Sequence, residues 1–415
     1  MRLLIFGHWS DTGFGVVTKN LALQFMDRGL DLRILAVNHR GEPVQGPLAG
    51  RIWPASIAGD GFGGNISSQA IDGTFWKAYD SEDDWKPDAV LVVSDMSGFQ
   101  GHVGRITQQW LSLPVFHYCP IEGDNLPPSW AEIWEKFNPV AMSDYGQRVI
   151  AAHTGRVVPR IYHGVDSETF HPVSASSPLV YEGKVLRSKE ACKAAFGFTP
   201  DQKIVLRTDR YVPRKFYDTF MRSMSYVFDR DPAVTALIHC RPQDEGGNLL
   251  EEIGRLPREQ WPRVKLTQAH DTWKGLSTSD LVVLMNAADL YFSPTSGEGF
   301  GLTLAESAAC GVPVVTTDHA AGPEVVGPGG VVVSPLRDSY GDPVTFHSKY
   351  GMDWAVPDAR AFVDPLVSLL AKPHRRRAMG DAGRRHVVQM FRWSDAADQF
   401  VALFAAALQT AEVAA

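Results

Sequence analysis

The amino-acid sequence predicts an α/β protein built from two doubly wound domains, each a parallel sheet with helices on both faces, and three observations carry that expectation. At 415 residues the chain exceeds the size at which one hydrophobic core keeps growing, so two domains follow. Short apolar runs alternate with helical stretches through both halves, the pattern of parallel strands buried on both faces. Glycine-rich turns follow strand candidates in each half, around Gly13 and Gly15 and again from Gly297 to Gly301, where such sheets pass into a helix.

Taken in order, residues 3–6 form an apolar run closed by Gly7. A polar loop with Gly13 and Gly15 follows, then an amphipathic stretch over 17–28, which predicts strand, glycine loop and helix. Runs at 32–37, 89–93, 115–118 and 140–142 continue the first series. The Ser- and Pro-rich stretch 172–178, after the compact turn at 163–166, predicts a linker, with domains over 1–175 and 176–392. The second series has strand candidates at 204–207, 235–239, 264–267, 290–293 and 312–316, separated by helical patterns such as 218–228 and 303–309. Between 335 and 357 no period is visible, which predicts an irregular loop. Residues 393–413 are rich in Ala and Leu and predict a final helix opened by Ser394 and Asp395; the segment 393–415 is expected to complete the first domain.

Composition narrows the function. With 44% hydrophobic and 21% charged residues the chain is expected to fold throughout. A formal charge of -7 gives no overall attraction to phosphate backbones. The densest basic cluster, Arg375, Arg376, Arg377, Arg384 and Arg385, reads first as a solvated helix face and second as a contact for an anionic surface. Cys119, Cys192, Cys240 and Cys310 are widely spaced with no CxxC pair, which argues against a zinc site and a disulfide framework. The first strand lacks the long apolar region of a signal peptide, and no stretch approaches 18 apolar residues, so a cytoplasmic location is expected, with peripheral attachment to a membrane as the alternative.

The chemistry concentrates after the run at 290–293. A loop at the carboxyl end of a parallel strand, opening onto a helix N-terminus, is where α/β sheets bind phosphorylated ligands, and glycines let backbone amides approach a diphosphate. Glu298 and Glu306 lie on either side of the helix start, and a carboxylate at Glu306 is able to accept both hydroxyls of a ribose.

The run from Ser296 through Glu298, Gly299, Phe300, Gly301, Leu302 and Glu306 to Val315 resembles the signature of the retaining GT-B glycosyltransferases of family 4, the glycosyl transferases group 1: a Glu, seven residues, then a second Glu. The likeness extends to Arg210 and Lys215, similar to the family's Arg, four residues, Lys element. It also takes in the glycine loop from Asp11 to Gly15, Ser143 to Gly146, and the stretch 161–170, where His163 stands in place of a commoner Asn. Phe216 replaces a common Gly or Asn. The resemblance spans roughly residues 1 to 400, with 337–356 as the main departure.

It implies two Rossmann-like domains with an interdomain cleft, a UDP-, GDP- or ADP-sugar as donor, retention of anomeric configuration, and no requirement for a metal. Arg210 and Lys215 are expected on the donor diphosphate; Gly13, Gly15, Gly299, Phe300, Gly301, Leu302 and Glu306 are expected to line the donor, and Glu298 to act at the reacting sugar. From the first domain His117 and Glu122, or Asp124 beside it, are candidate catalytic residues, with Asp95 and Ser97 ranked below them. Residues 38–43 and 57–68 are candidates for the acceptor side, and Trp9, Trp53, Trp76 and Trp130 for stacking or core packing. The acceptor stays open among a glycan, a lipid-linked saccharide, a small alcohol, a protein and a hydroxymethylated DNA base; a GT-B nucleotide-sugar epimerase or a phosphorylase is the rival enzyme class.

Overall fold

The computed structural model describes residues 1–10, 12–39, 41–55, 69–70, 73–79, 85–100, 113–267 and 276–414. The chain divides into two compact units. The first comprises Met1–Ile121, Asn125–Gly164 and Trp393–Ala415; the second comprises Glu122–Asp124 and Val165–Arg392.

The first unit holds a six-stranded sheet of β1 (Arg2–His8), β2 (Asp31–Val37), β3 (Ile52–Pro54), β4 (Ala89–Val93), β5 (Val115–Cys119) and β6 (Asn138–Ala141). The order is β3-β2-β1-β4-β5-β6, and every pair is parallel. Ile5 pairs with Ile34 on one side and Leu91 on the other, so β1 is buried on both faces and reads as a continuous apolar run. The order reverses beside β1, the position where doubly wound sheets receive ligands. Five of these strands match the expected runs; β3 was missed because three residues ending in proline show no period.

The second unit opens with the hairpin β7 (Leu179–Tyr181) and β8 (Lys184–Leu186). Its six-stranded sheet contains β9 (Lys203–Arg207) and β10 (Val234–Ile238). After a two-residue ladder of β11 (Gln243–Asp244) and β12 (Gly247–Asn248), the sheet resumes with β13 (Val264–Leu266), β14 (Leu290–Ser293), β15 (Val314–Thr317) and β16 (Gly330–Val333). The order β13-β10-β9-β14-β15-β16 repeats that of the first sheet, again wholly parallel. The helix Tyr217–Arg230 covers one face, with Phe220 stacked on Phe292 of β14 at 5.2 Å.

Three expectations are corrected. The stretch 335–357 contains the antiparallel hairpin β17 (Thr345–His347) and β18 (Asp353–Ala355), whose short strands are too brief to show alternation. Residues 172–178 lie inside the second unit rather than linking domains: the Val173 amide donates to Asn286 Oδ1 at 2.7 Å, and the Ser177 amide donates to Ser174 Oγ at 3.0 Å. The last helix, Trp393–Ala414, starts one residue before Ser394, so Ser394 and Asp395 sit in its first turn.

That helix packs in the first unit. Phe400 and Phe404 lie 6.0 and 5.9 Å from Phe25 of the helix Gly13–Asp27, and Arg28 bonds Asp398 at 2.6 Å. No helix among the described residues is long and apolar enough to cross a membrane. In the helix Pro373–Met390 two of the five clustered arginines are structural: Arg376 donates to the carbonyls of Leu369 and Leu370, and Arg384 to those of Phe170 and Ala309.

Candidate active site

The loop after β14 is held in place before any ligand is considered. The Ser296 amide donates to the Arg214 carbonyl at 3.0 Å, and the Ala321 amide donates to the Glu298 carbonyl at 3.1 Å. A Cβ on Gly297 would meet the Glu122 carbonyl at 2.9 Å and Arg214 Cδ at 3.0 Å, so the close approach requires glycine. Gly301 has φ of +101° and turns the chain into the helix Leu302–Ala309, a conformation glycine adopts without strain. Phe300 is buried edge-on against Phe391 at 5.1 Å.

Beneath this loop lies a buried network of charges. Lys215 Nζ bonds Glu298 Oε1 and, at 2.9 Å, Asp209 Oδ1. Asp209 also accepts from Ser293 Oγ and from Thr303 Oγ1 at 3.2 Å, and lies 3.4 Å from Arg207 Nε. Burial alone would raise the Asp209 carboxyl; Lys215 and Arg207 outweigh it and hold the group below the ordinary carboxylate range. The Arg207 guanidinium, fully buried, lies 3.6 Å over the Tyr217 ring and donates to the Lys215 carbonyl. Arg214 bonds Glu122 at 2.8 Å, donates to the Gly297 carbonyl at 2.6 Å and stands 3.8 Å from Glu298. Three cations and the carboxylates of Asp209, Glu298 and Glu122 therefore share one network.

Arg210 stands apart from this network. Its side chain is 63% exposed and forms a bidentate pair with Asp244 at 2.9 and 3.1 Å, with Glu245 at 3.4 Å. The Phe216 backbone that follows Lys215 is left-handed, with φ of 46°, which explains why glycine or asparagine suits this position.

Glu306 is the opposite case. It sits buried in the second turn of its helix, and no hydrogen bond or ion pair to its carboxylate is found among the described residues. Burial pushes its carboxyl up to about 8. A buried acceptor group held without a partner is the arrangement a ligand with paired hydroxyls would satisfy.

Residues 202–371 match the family described as Glycosyl transferases group 1. This match takes in Arg210, Lys215, Glu298 and Glu306. The chain is 30% identical over 221 residues to a D-inositol 3-phosphate glycosyltransferase of Segniliparus rotundus, a match covering 53% of this chain and 44% of that protein. It is 28% identical over 238 residues to a GDP-mannose-dependent monoacylated alpha-(1-6)-phosphatidylinositol monomannoside mannosyltransferase of Corynebacterium glutamicum, covering 55% and 51%. These matches span about half the length of the curated relatives. Among solved structures, sucrose-phosphate synthase from Thermosynechococcus elongatus superposes with a TM-score of 0.72 at 17% identity, covering 99% of this chain and all (100%) of that one. Anabaena HepE in complex with UDP and glucose superposes at 0.66 and 16%, covering 98% and 100%. At such identities the likeness concerns fold, which is GT-B.

The first-unit candidates fare unevenly. Gly15 is required by packing: a Cβ there would run into the Ser10 carbonyl oxygen, because the helix Gly13–Asp27 starts hard against the end of β1. Gly13 is the first residue of that helix. His117 is held by bonds within the first unit. It is wholly buried on β5, stacked on Phe99 at 4.1 Å; Trp134 Nε1 donates to its Nδ1 at 3.3 Å, which leaves Nε2–H to donate to the Ser94 carbonyl at 3.1 Å. Burial lowers its pKa to about 4, so the ring is neutral with both nitrogens engaged. Asp95 accepts from Ser97 Oγ at 2.8 Å and the Gly98 amide at 2.7 Å, which is local capping. His163 is also structural, donating from Nδ1 to Tyr118 Oη at 2.8 Å and stacking on Trp393. Asp124 exchanges backbone hydrogen bonds with Asp353. Trp130 packs edge-on to Trp134, while Lys19 lies 5.3 Å over Trp9 and Arg33 5.4 Å over Trp53. Asp11, Arg40, the stretch 57–68 and the side chain of Trp76 lie outside the described residues.

Reading along the chain missed Arg207, Asp209, Arg214, Ser293 and Thr303. Asp209 and Arg214 were visible as the immediate neighbours of Arg210 and Lys215; Arg207 was hidden as the end of an apolar strand.

Proposed function

We propose that this chain is a group 1 glycosyltransferase that transfers a sugar from a nucleoside-diphosphate sugar to an acceptor hydroxyl, with retention of configuration and without a metal ion, the second unit binding the donor and the first the acceptor. The observation that carries this reading is the loop and helix after β14. There a carboxylate, Glu298, is fixed on Lys215 at the glycine turn, and a buried carboxylate with no partner among the described residues, Glu306, stands in the next turn of helix. Glu306 suits the ribose hydroxyls. Lys215, and Arg210 once exchanged from Asp244, suit the diphosphate. A leaving nucleoside diphosphate gains negative charge as the glycosidic bond breaks, so fixed cations there lower the barrier more than they aid ground-state binding.

Glu298 is committed to Lys215, and Glu306 to the ribose in this reading, so neither serves as a double-displacement nucleophile. Attack on the same face of the sugar needs none: the acceptor oxygen bonds the anomeric carbon as the bond to the diphosphate breaks, and the acceptor proton passes to the departing phosphate oxygen. Glu122 acts through Arg214, which it orients against the Gly297 carbonyl.

Two donors head the list for testing: GDP-mannose, on which the Corynebacterium glutamicum relative depends, and UDP-glucose, with which Anabaena HepE forms a complex. Inositol phosphates head the acceptors for the same reason. A thermal-shift screen of UDP-, GDP- and ADP-sugars, followed by mass spectrometry of acceptors incubated with the best donor, is expected to yield one donor and a product heavier by one glycosyl unit. Absence of any donor shift and of any donor consumption would overturn the reading. Activity abolished by EDTA and restored by magnesium or manganese would remove metal independence alone.

A further inference from the structure

The hairpin β17–β18 lies where the family resemblance lapses, and its turn reaches Glu245, one of the two partners of Arg210. Glu245 Oε2 accepts from Lys349 Nζ at 2.9 Å and from Tyr350 Oη at 3.2 Å, while Glu245 Oε1 faces Arg210 at 3.4 Å. The hairpin is itself tied to the signature loop. Ser296 Oγ donates to the Ala355 carbonyl, and the amides of Asp124 and Asp353 donate to each other's carbonyls at 3.0 and 2.9 Å. Glu245 is thus held from one side by the hairpin and shared with an exposed arginine on the other.

We propose that Glu245, oriented by Lys349 and Tyr350, is a positioning residue that sets how readily Arg210 leaves its carboxylate partners for a donor diphosphate. The inference rests on the reading of Arg210 as a diphosphate ligand. An arginine fork already satisfied by carboxylates binds a phosphate only by exchange, so each competing carboxylate subtracts from donor affinity. Lys349 and Tyr350 draw Glu245 toward the hairpin: their contacts are shorter than the 3.4 Å contact to Arg210, which keeps its bidentate pair for Asp244. The hairpin therefore favours release of Arg210.

The test titrates the full chain with UDP, GDP and ADP by calorimetry and takes the tightest binder as probe. Glu245→Gln is expected to tighten it by about two- to fivefold, the range for exposed ion pairs. Lys349→Ala and Tyr350→Phe are expected to weaken it, the second without altering charge. Combining either with Glu245→Gln should restore the affinity of Glu245→Gln alone. In turnover the donor KM moves and kcat does not. If all three substitutions weaken binding, Glu245 supports the site merely as structure and the proposal falls. If Lys349→Ala weakens binding equally in the Glu245→Gln background, Lys349 touches the diphosphate directly and the positioning role falls. If Arg210→Ala leaves binding of the probe unchanged, the assignment of Arg210 to the diphosphate fails, and the inference with it, while the wider donor reading stands.

Discussion

Replacing Glu306 by Gln separates what this carboxylate costs the fold from what it contributes to ligand binding. Its carboxyl is pushed up to about 8 by burial, from 4.5 in the unfolded chain. Between those values the folded protein keeps a proton that the unfolded chain releases, so stability falls as pH rises from about 4.5 to about 8 and levels off above. The slope is roughly 1.4 kcal/mol per pH unit, which makes about 3 kcal/mol of destabilisation at pH 7 as an upper bound. Glutamine has nearly the same shape and no proton to release. Glu306→Gln should therefore raise the melting temperature by several degrees at pH 7 to 8, and the gain should vanish near pH 4.5. Donor binding should move the other way. The ionised carboxylate accepts two ribose hydroxyls, and hydrogen bonds to a charged group are worth about 1.5 to 3 kcal/mol, so affinity should drop roughly 10- to 100-fold. In the unaltered chain donor affinity should rise with pH up to about 8, with a proton released on binding at pH 7; in the variant it should be flat. Scanning calorimetry from pH 5 to 8.5 and titration calorimetry in two buffers of different ionisation enthalpy read both effects. Parallel melting curves for the two proteins across pH, or an unchanged donor Kd, would refute the reasoning.

Other substitutions probe the rest of the site. Lys215→Met leaves Asp209 and Glu298 as buried carboxylates without their shared cation, at a cost of about 3 to 5 kcal/mol, and should abolish turnover. Asp209 stabilises the fold above its ordinary carboxyl range and loses that contribution as pH falls, so in Lys215→Met the acid side of the stability profile should flatten, as urea melts at pH 3 to 7 would report. His117→Gln should lower stability through lost stacking on Phe99, yet leave kcat per folded molecule within about threefold; a loss of a hundredfold in folded enzyme would return His117 to the reaction. Gly15→Ala forces a Cβ into the Ser10 carbonyl and should cost the first unit about 1 to 3 kcal/mol, read as earlier unfolding of that unit by hydrogen exchange while the second unit keeps its protection.

The alternation of apolar runs and helical stretches, the glycines at 13–15 and 297–301, and the spacing of Glu298 and Glu306 were legible in the chain alone. These are local properties: strand burial, helix period and left-handed turns are written in residues a few positions apart. What tertiary structure alone decided is which side chains meet. Lys215 and Glu298 are 83 residues apart, and Arg207 looks like the end of an ordinary strand until the sheet brings β9 next to β14. The same holds for His117, whose type suggested chemistry while its place on a central strand, between Phe99 and Trp134, left it no free nitrogen. Charge pairing and burial depend on distance in space, and the sheet order that sets those distances carries no trace in the local pattern.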